Sequence, residues 1–223
     1  MFDAISPTYD TVNRVMTGGI DRRWRRELSS LLPSGDKLSL LDCATGTGDQ
    51  LFSLMESSST IATAVGIDLA QEMLKYAASK LETKPYKDRV QWIHASASDL
   101  PFAEATFDCL TISFGIRNVD DLSKSLQEFR RVLKSGGRLL ILETSLPKNP
   151  LIRSAHLFYI RHLLPKIGGW LSKNRAAYVY LNKSAEAFPC GESFCSILRE
   201  AGFKNVRAHP QTFGAVTIYQ ADK

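Results

Sequence analysis

No apolar run in this 223-residue chain approaches the ~18–20 residues that a membrane span needs. The N-terminus also lacks the basic-then-apolar layout of a signal peptide, so a cytoplasmic location is the default expectation. Cysteine is scarce: four residues, none in a Cys-x-x-Cys pair. Cys43 and Cys109 fall in apolar, strand-like runs, which predicts buried free thiols rather than disulfides or a zinc site, and no metal ligands are assigned. Repeats, low-complexity tracts and long linkers are missing too. Neither sign of charge dominates, since 28 Lys and Arg against 23 Asp and Glu leave a net charge of +5. The only compact basic cluster, Arg22-Arg23-Trp24-Arg25-Arg26, reads as a solvated helix face. Without a basic patch interleaved with aromatics, nucleic acid is not an expected partner.

What is present is alternation. Leu38–Cys43, Ile61–Asp68, Val90–His94, Cys109–Phe114 and Leu139–Glu143 read as strands. Between them, Gln50–Glu56, Gln71–Leu81 and Leu122–Leu133 read as helices, the last closed by Ser135-Gly136-Gly137. The first 35 residues read as helix and loop, stopped at Pro33-Ser34-Gly35. Leu151–Leu171 reads as a long helical insertion, Glu192–Ala201 as a further helix, and Val206–His209 with Phe213–Tyr219 as a closing pair of strands. The pattern predicts an α/β fold: a seven-stranded, mostly parallel, doubly wound sheet with helices on both faces and a ligand at the carboxyl ends of its strands. The length fits one domain over 1–223. Its parts are an N-terminal helical lid over 1–35, a cofactor-binding core over 36–145, a helical substrate- or membrane-facing insertion over 146–190, and a C-terminal helix and hairpin over 191–223.

The first strand ends in Asp42-Cys43-Ala44-Thr45-Gly46-Thr47-Gly48-Asp49, and the second ends in Asp68. A strand, glycine turn, helix, strand and acid together build a nucleoside pocket. The glycines let backbone approach the ligand and the second acid takes the ribose hydroxyls. A dinucleotide fingerprint needs a third Gly or Ala where this chain has Leu51. Asp42 and Asp49 also put negative charge where a pyrophosphate would lie. A nicotinamide-dependent oxidoreductase is therefore disfavoured. A ligand with a cationic centre and no phosphate, such as S-adenosylmethionine, suits the turn better. Enzymes that methylate base amino groups carry an Asn/Asp-Pro-Pro-aromatic motif after strand four, where this chain has Ser113-Phe114-Gly115-Ile116.

Other segments then fall into register with one family. Phe2, Tyr9-Asp10, Asn13, Gly19-Ile20 and Trp24 match one signature. Arg131-Val132-Leu133-Lys134, Gly136-Gly137 and Glu143-Thr144-Ser145 match a second. Between them lie Leu100-Pro101-Phe102, Phe107-Asp108 and Ser113-Phe114-Gly115-Ile116-Arg117-Asn118-Val119, and the tail adds Tyr178-Val179-Tyr180-Leu181, Phe188-Pro189 and Ala201-Gly202-Phe203. The chain resembles the menaquinone/ubiquinone biosynthesis C-methyltransferases over its whole length. It departs from them at Val12 (usually Met), Asp21 (usually His), Thr45 (often Gly), Ser135 (often Pro) and Val179 (often Arg). The resemblance implies a Rossmann-like class I methyltransferase fold and S-adenosylmethionine as cofactor. It implies cofactor contacts at Thr47, Asp68, Ser96, Ala97 and Ser113, with Gly46 and Gly48 shaping the turn. Thr47 would face the methionine part, Asp68 the ribose diol, Ser96-Ala97 the adenine edge and Ser113 the sulfonium.

The implied reaction methylates a ring carbon of a polyprenylated quinol, converting demethylmenaquinol to menaquinol. The benzoquinol step of ubiquinone biosynthesis, or both steps, is the alternative. Methyl transfer to an aromatic carbon needs in-line approach and a deprotonated ring hydroxyl. Arg117 is expected to stabilise the developing phenolate, Asn118 to orient the ring, and Tyr9 to close the site; the competing role for Arg117 is an ion pair with Asp120 or Asp121. No histidine is placed by motif, so no general base is assigned. The Leu151–Leu171 segment mixes Leu157, Phe158, Ile160, Leu163 and Leu164 with Arg153, Arg161, His162 and Lys166. It fits either a helix lying on an anionic membrane surface or one packed over the sheet. The resemblance also leaves room for a homodimer and for a position peripheral to the inner membrane.

Overall fold

The computed structural model describes residues 6–172 and 175–223; Phe2, one of the residues carrying the resemblance, lies outside them. Seven strands form one sheet: β1 (Leu38–Cys43), β2 (Ile61–Asp68), β3 (Val90–His94), β4 (Phe107–Ser113), β5 (Leu133–Thr144), β6 (Lys204–Gln211) and β7 (Val216–Asp222). Their order is β3-β2-β1-β4-β5-β7-β6, with the first five parallel and β7 antiparallel to both neighbours. The helices are α1 (Ser6–Thr17), α2 (Asp21–Glu27), α3 (Asp49–Ser57), α4 (Gln71–Leu81), α5 (Leu122–Val132), α6 (Pro150–Phe158), α7 (Leu164–Ser172), α8 (Arg175–Ala187) and α9 (Glu192–Glu200).

Strand residues alternate between two apolar cores because successive side chains leave opposite faces of a sheet. Leu41, Leu139 and Ile141 face one core with Phe129 of α5 and Phe194 and Leu198 of α9. Leu40, Leu140 and Leu142 face the other with Trp24, Leu28, Leu51 and Leu54. Both faces are thus covered, as near-continuous apolar runs in parallel strands require. Strand order reverses at β1, which lies between β2 and β4, and a crevice opens there at the carboxyl ends.

The glycine turn fills that crevice. Gly48 has φ +82°, and a Cβ on it would come within 2.9 Å of both Phe52 and Trp92. From the β4 side Gly115 presses on the turn, since a Cβ there would lie 2.6 Å from the Ala44 Cβ. Asp42, near the end of β1, is buried and is held by two hydroxyls rather than by an ion pair. Thr45 Oγ1 donates to its Oδ2 at 2.6 Å and Thr111 Oγ1, from β4, donates to its Oδ1 at 2.6 Å.

Three expectations change and a fourth is refined. Ser135-Gly136-Gly137 does not separate α5 from a later strand: Leu133 already pairs with Phe107, and residues 134–137 bulge before Arg138 pairs with Cys109. Phe213 is not in a strand; it has φ +57° in a turn over Thr212–Gly214 and is exposed. Local β propensity lost there to the tightness of the turn, which Trp24 Nε1 holds by donating to Thr212 Oγ1 at 2.8 Å. Arg25 is not on a solvated face but is 9% exposed, drawn inward beside buried Trp24. Finally, the segment Leu151–Leu171 is helical as expected, but a π-helical turn over Tyr159–Leu163 joins α6 to α7 within it, and α8 lies beyond it. The four cysteines are free thiols, with Cys43, Cys109 and Cys195 buried.

Burial pushes the Asp42 carboxyl up to about 6 against the two hydroxyls that favour its charge. A folded value above the unfolded one near 3.9 means the native state holds this proton more tightly. Its contribution to stability is therefore full below about pH 4 and is lost as pH rises through about 6. Asp42→Asn removes that dependence. Urea denaturation should show the variant gaining about 3 kcal/mol relative to wild type between about pH 4 and 7, and a flat difference would contradict this account.

Candidate active site

A cavity of about 140 Å³ lies over the carboxyl ends of β1, β2 and β4. Five of the expected cofactor residues meet on its wall: Gly46, Asp68, Ser96, Ala97 and Ser113. Asp68 is fixed at both oxygens, accepting the Gly46 N–H at 2.7 Å and the Ala70 N–H at 2.8 Å. It is therefore more than a cap for α4, because it also pins the glycine turn. Ser96 Oγ accepts the Ser98 N–H at 3.2 Å and lies 2.9 Å from Ser98 Oγ, which holds the loop after β3. Ser113 donates to Gln50 Oε1 at 3.0 Å.

Thr47 and Gly48 do not line this cavity. The Thr47 hydroxyl donates to Asp10 Oδ1 of α1 at 2.5 Å, Thr47 lines a smaller space past the turn, and Gly48 packs against Phe52 and Trp92. Asp10 begins a relay of charges: Lys80 of α4 bridges Asp10 at 2.9 Å and Asp49 at 2.6 Å, and Arg14 of α1 reaches Asp49 at 3.2 Å. Burial alone would raise the Asp49 carboxyl, but Lys80, with Arg25 and Arg14, holds it below the usual range. The relay ties α1 to the glycine turn.

A small polar space of about 30 Å³ continues past the turn, lined by Arg25 and the acids Asp10, Asp42 and Asp49 together with Thr47 and Gln50. Among the described residues on its lining, Arg25 is the one cation. Its nearest acid, Asp21, is 3.9 Å away, its Nε has no hydrogen-bond partner, and its guanidinium lies 5.5 Å over the Phe114 ring. A carboxylate-bearing ligand end entering this space meets that charge.

The largest cavity, about 300 Å³, is walled by apolar residues of the N-terminal helices and the insertion, among them Met16, Ile20, Trp24, Ile160, Leu164 and Leu181. Tyr9 and Phe114 belong to both this cavity and the one at the strand ends. Phe114 has φ +56°, a conformation rare for a bulky residue, which turns its ring into the partition against Trp24. Arg117 lines the apolar cavity from the 3₁₀ turn after β4. Its Nη1 donates to the Phe114 carbonyl at 3.0 Å and to Glu143 Oε1. Glu143 is fully buried. The partner is thus neither Asp120 nor Asp121; the Asp121 side chain instead caps α5 by accepting the Lys124 N–H at 2.9 Å. Arg117 Nε and Glu143 Oε2 are buried without hydrogen-bond partners. Asn118 lines the strand-end cavity and not the apolar one, separating it from Arg117.

Three residues escaped the sequence reading. Arg25 was hidden in a run of arginines, although its spacing four beyond Asp21 and its place beside Trp24 mark an inward face. Phe114 carried no signal of its left-handed backbone. His156 lines the apolar cavity with Tyr159, Ile160 and Leu164, and the spacing i, i+3, i+4, i+8 was a legible helical face.

A model of the ubiE/COQ5 methyltransferase family matches residues 1–223. The ubiquinone/menaquinone biosynthesis C-methyltransferase UbiE of Syntrophotalea carbinolica is 46% identical over 219 residues, covering 98% of this chain and 91% of that protein. The demethylmenaquinone methyltransferase of Chlorobaculum parvum is 38% identical over 227 residues, covering 100% and 91%. Among solved structures, a SAM-dependent methyltransferase from Aquifex aeolicus has a TM-score of 0.64 at 18% identity, covering 89% of this chain and 88% of that one. A SAM-dependent methyltransferase from Thermotoga maritima, described as a possible histamine N-methyltransferase, has a TM-score of 0.67 at 19% identity, covering 100% and 97%. These two share the fold.

The position of Arg25 predicts a split between two ligands. Arg25→Ala should weaken S-adenosylhomocysteine by about 10- to 100-fold in calorimetry, the worth of a charge-assisted hydrogen bond. Methylthioadenosine, which lacks the amino-acid end, should bind the variant and the wild type alike. Equal losses for both ligands would make Arg25 a purely structural residue.

Proposed function

The chain belongs to the ubiE/COQ5 methyltransferase family, and we propose that it methylates a ring carbon of demethylmenaquinol within the apolar cavity. The observation that carries this reading is the adjacency of the two cavities. A cavity at the strand ends that carries Asp68 and Ser96 and a larger apolar one share the Tyr9 and Phe114 wall, and Arg25 lines the larger one and the small polar space beside it. S-adenosylmethionine supplies an electrophilic methyl group on a sulfonium. The residues present fit it: Asp68 for a diol, Ser96 and Ala97 for a base edge, and the unpartnered Arg25 Nε for a carboxylate.

Within this reading, Arg117 stabilises the negative charge that develops on the ring oxygen. Its side chain is buried, so its charge acts through a low dielectric. Glu143 orients the guanidinium and the Phe114 carbonyl fixes its reach. Asn118 serves the cofactor side of the partition and Tyr9 closes both cavities. Helix α1 with α2 forms the lid.

The insertion supports a further reading: contact with a membrane surface, from which a polyprenylated substrate must be drawn. One side of α6–α7 lines the apolar cavity. The other leaves Leu151 80%, Phe158 58% and Trp170 81% exposed, on a segment carrying Arg153, Arg161 and Lys166. No helix among the described residues is long and apolar enough to cross a membrane. Apolar side chains among cations favour the interface of an anionic bilayer.

Two measurements test these readings. Arg117→Lys and Arg117→Ala should retain S-adenosylhomocysteine binding while turnover on a short-tailed demethylmenaquinol falls by about 10²- to 10³-fold. The lysine variant keeps a cation beside Glu143, so its loss of rate is not a loss of fold. Near-normal turnover in both would remove Arg117 from the chemistry. In flotation, the protein should rise with phosphatidylglycerol vesicles, and Phe158→Ser with Trp170→Ser should reduce this; no association of wild type would remove the membrane reading.

A further inference from the structure

Arginine stabilises a phenolate but cannot take the proton whose loss creates it, because it stays charged throughout the working pH range. A base is therefore needed in the apolar cavity, and its wall offers few. Tyr159 donates its hydroxyl to the Met16 carbonyl, and burial raises its pKa. Asp21 is engaged by the Thr17 hydroxyl at 3.0 Å and faces Arg25. Tyr9 is a phenol like the substrate and gains nothing by exchanging a proton with it. His156, on α6, is half-buried and lines the same cavity as Arg117, and its ring nitrogens have no hydrogen-bond partner among the described residues.

We propose that His156 accepts the proton of the quinol hydroxyl whose oxygen Arg117 stabilises, and so acts as the general base of the methyl transfer. This rests on the quinol reading of the apolar cavity. In the step, the O–H bond breaks, an N–H bond forms on the imidazole, and the electron pair stays on the oxygen, enriching the neighbouring ring carbon. After that carbon has gained the methyl group in the family's reaction, its own hydrogen leaves to water as a proton. The imidazolium returns its proton to the ring oxygen, so one proton is released per turnover.

The surroundings keep the imidazole ready. Burial lowers its pKa, opposed by Glu186 of α8, so at neutral pH the ring is uncharged and can accept. Glu186 is itself held by Arg161 at 2.5 Å, which limits its pull. Arg117, Arg25, Asp21, Tyr9 and Tyr159 are the other charged and titratable groups that line the same cavity.

The test uses the full chain with S-adenosylmethionine and short-tailed demethylmenaquinol from about pH 5 to 9. Wild type that binds S-adenosylhomocysteine but turns over no quinol would refute the substrate reading itself, whatever the variants do. With wild type active, His156→Gln should lower kcat by about 10²-fold or more and abolish the fall in rate on the acid side. Its affinity for S-adenosylhomocysteine should be unchanged, and added imidazole should partly restore His156→Ala. The His156 ring signal in NMR, assigned by its loss in His156→Gln, should titrate with the midpoint of the wild-type acid limb. The proposal is overturned if His156→Gln keeps the acid limb or a near-normal kcat, if it loses S-adenosylhomocysteine binding, or if the two midpoints differ.

Discussion

The buried Asp42 carboxylate takes one hydroxyl from its own turn, Thr45, and one from the neighbouring strand, Thr111, and the placement of both cavities follows from that junction. β1 and β4 flank the point where strand order reverses, and each sends its backbone into a left-handed residue just beyond its end: Ala44 and Phe114. Two sharp departures so close together need a clamp. Hydroxyl donors do this without bringing a second charge into the core, at the cost of a carboxyl that is hard to ionise. The same junction brings Gly115 against Ala44, so the partition ring of Phe114 and the glycine turn are set relative to each other.

The second buried acid works differently. Glu143 ends β5 fully buried, takes Arg117 and the Thr144 N–H and hydroxyl on one oxygen, and leaves the other unpaired. A buried ion pair with unfilled valences is a poor way to stabilise a fold. It is a good way to hold a cation at the edge of an apolar cavity, where a hydrophobic replacement would serve stability at least as well. The chain thus spends polar satisfaction at the site and keeps its two cores almost wholly apolar.

Much of this was legible. β1, β2, β3 and α4 fall on the residues that the apolar runs and their bounding glycines and acids indicated, because parallel strands buried on both faces write themselves as uninterrupted apolar segments. Asp68, Ser96, Ala97, Ser113 and Gly46, to which the resemblance pointed, line one cavity. The failures have a common physical source. Thr47 lines the small polar space past the turn, but nothing near it in sequence showed that its hydroxyl is also tied to Asp10, thirty-seven residues away. Arg117 was read against nearby acids, and its partner is Glu143 on another strand. Arg25 was read as one of four like charges, and tertiary packing singled it out. Local pattern reports which element a residue occupies; it does not report which distant group captures its side chain.

Tyr9 lines all three cavities from a single helix. Helix α1 is fastened to the glycine turn by Asp10, and to α3 and α4 by Arg14 and Lys80. A movement of α1 large enough to withdraw Tyr9 must therefore break the same charge relay whichever ligand is leaving. Under the proposed reading the two ligand compartments share one doorkeeper, and salt, which weakens the relay that holds it, acts on both at once.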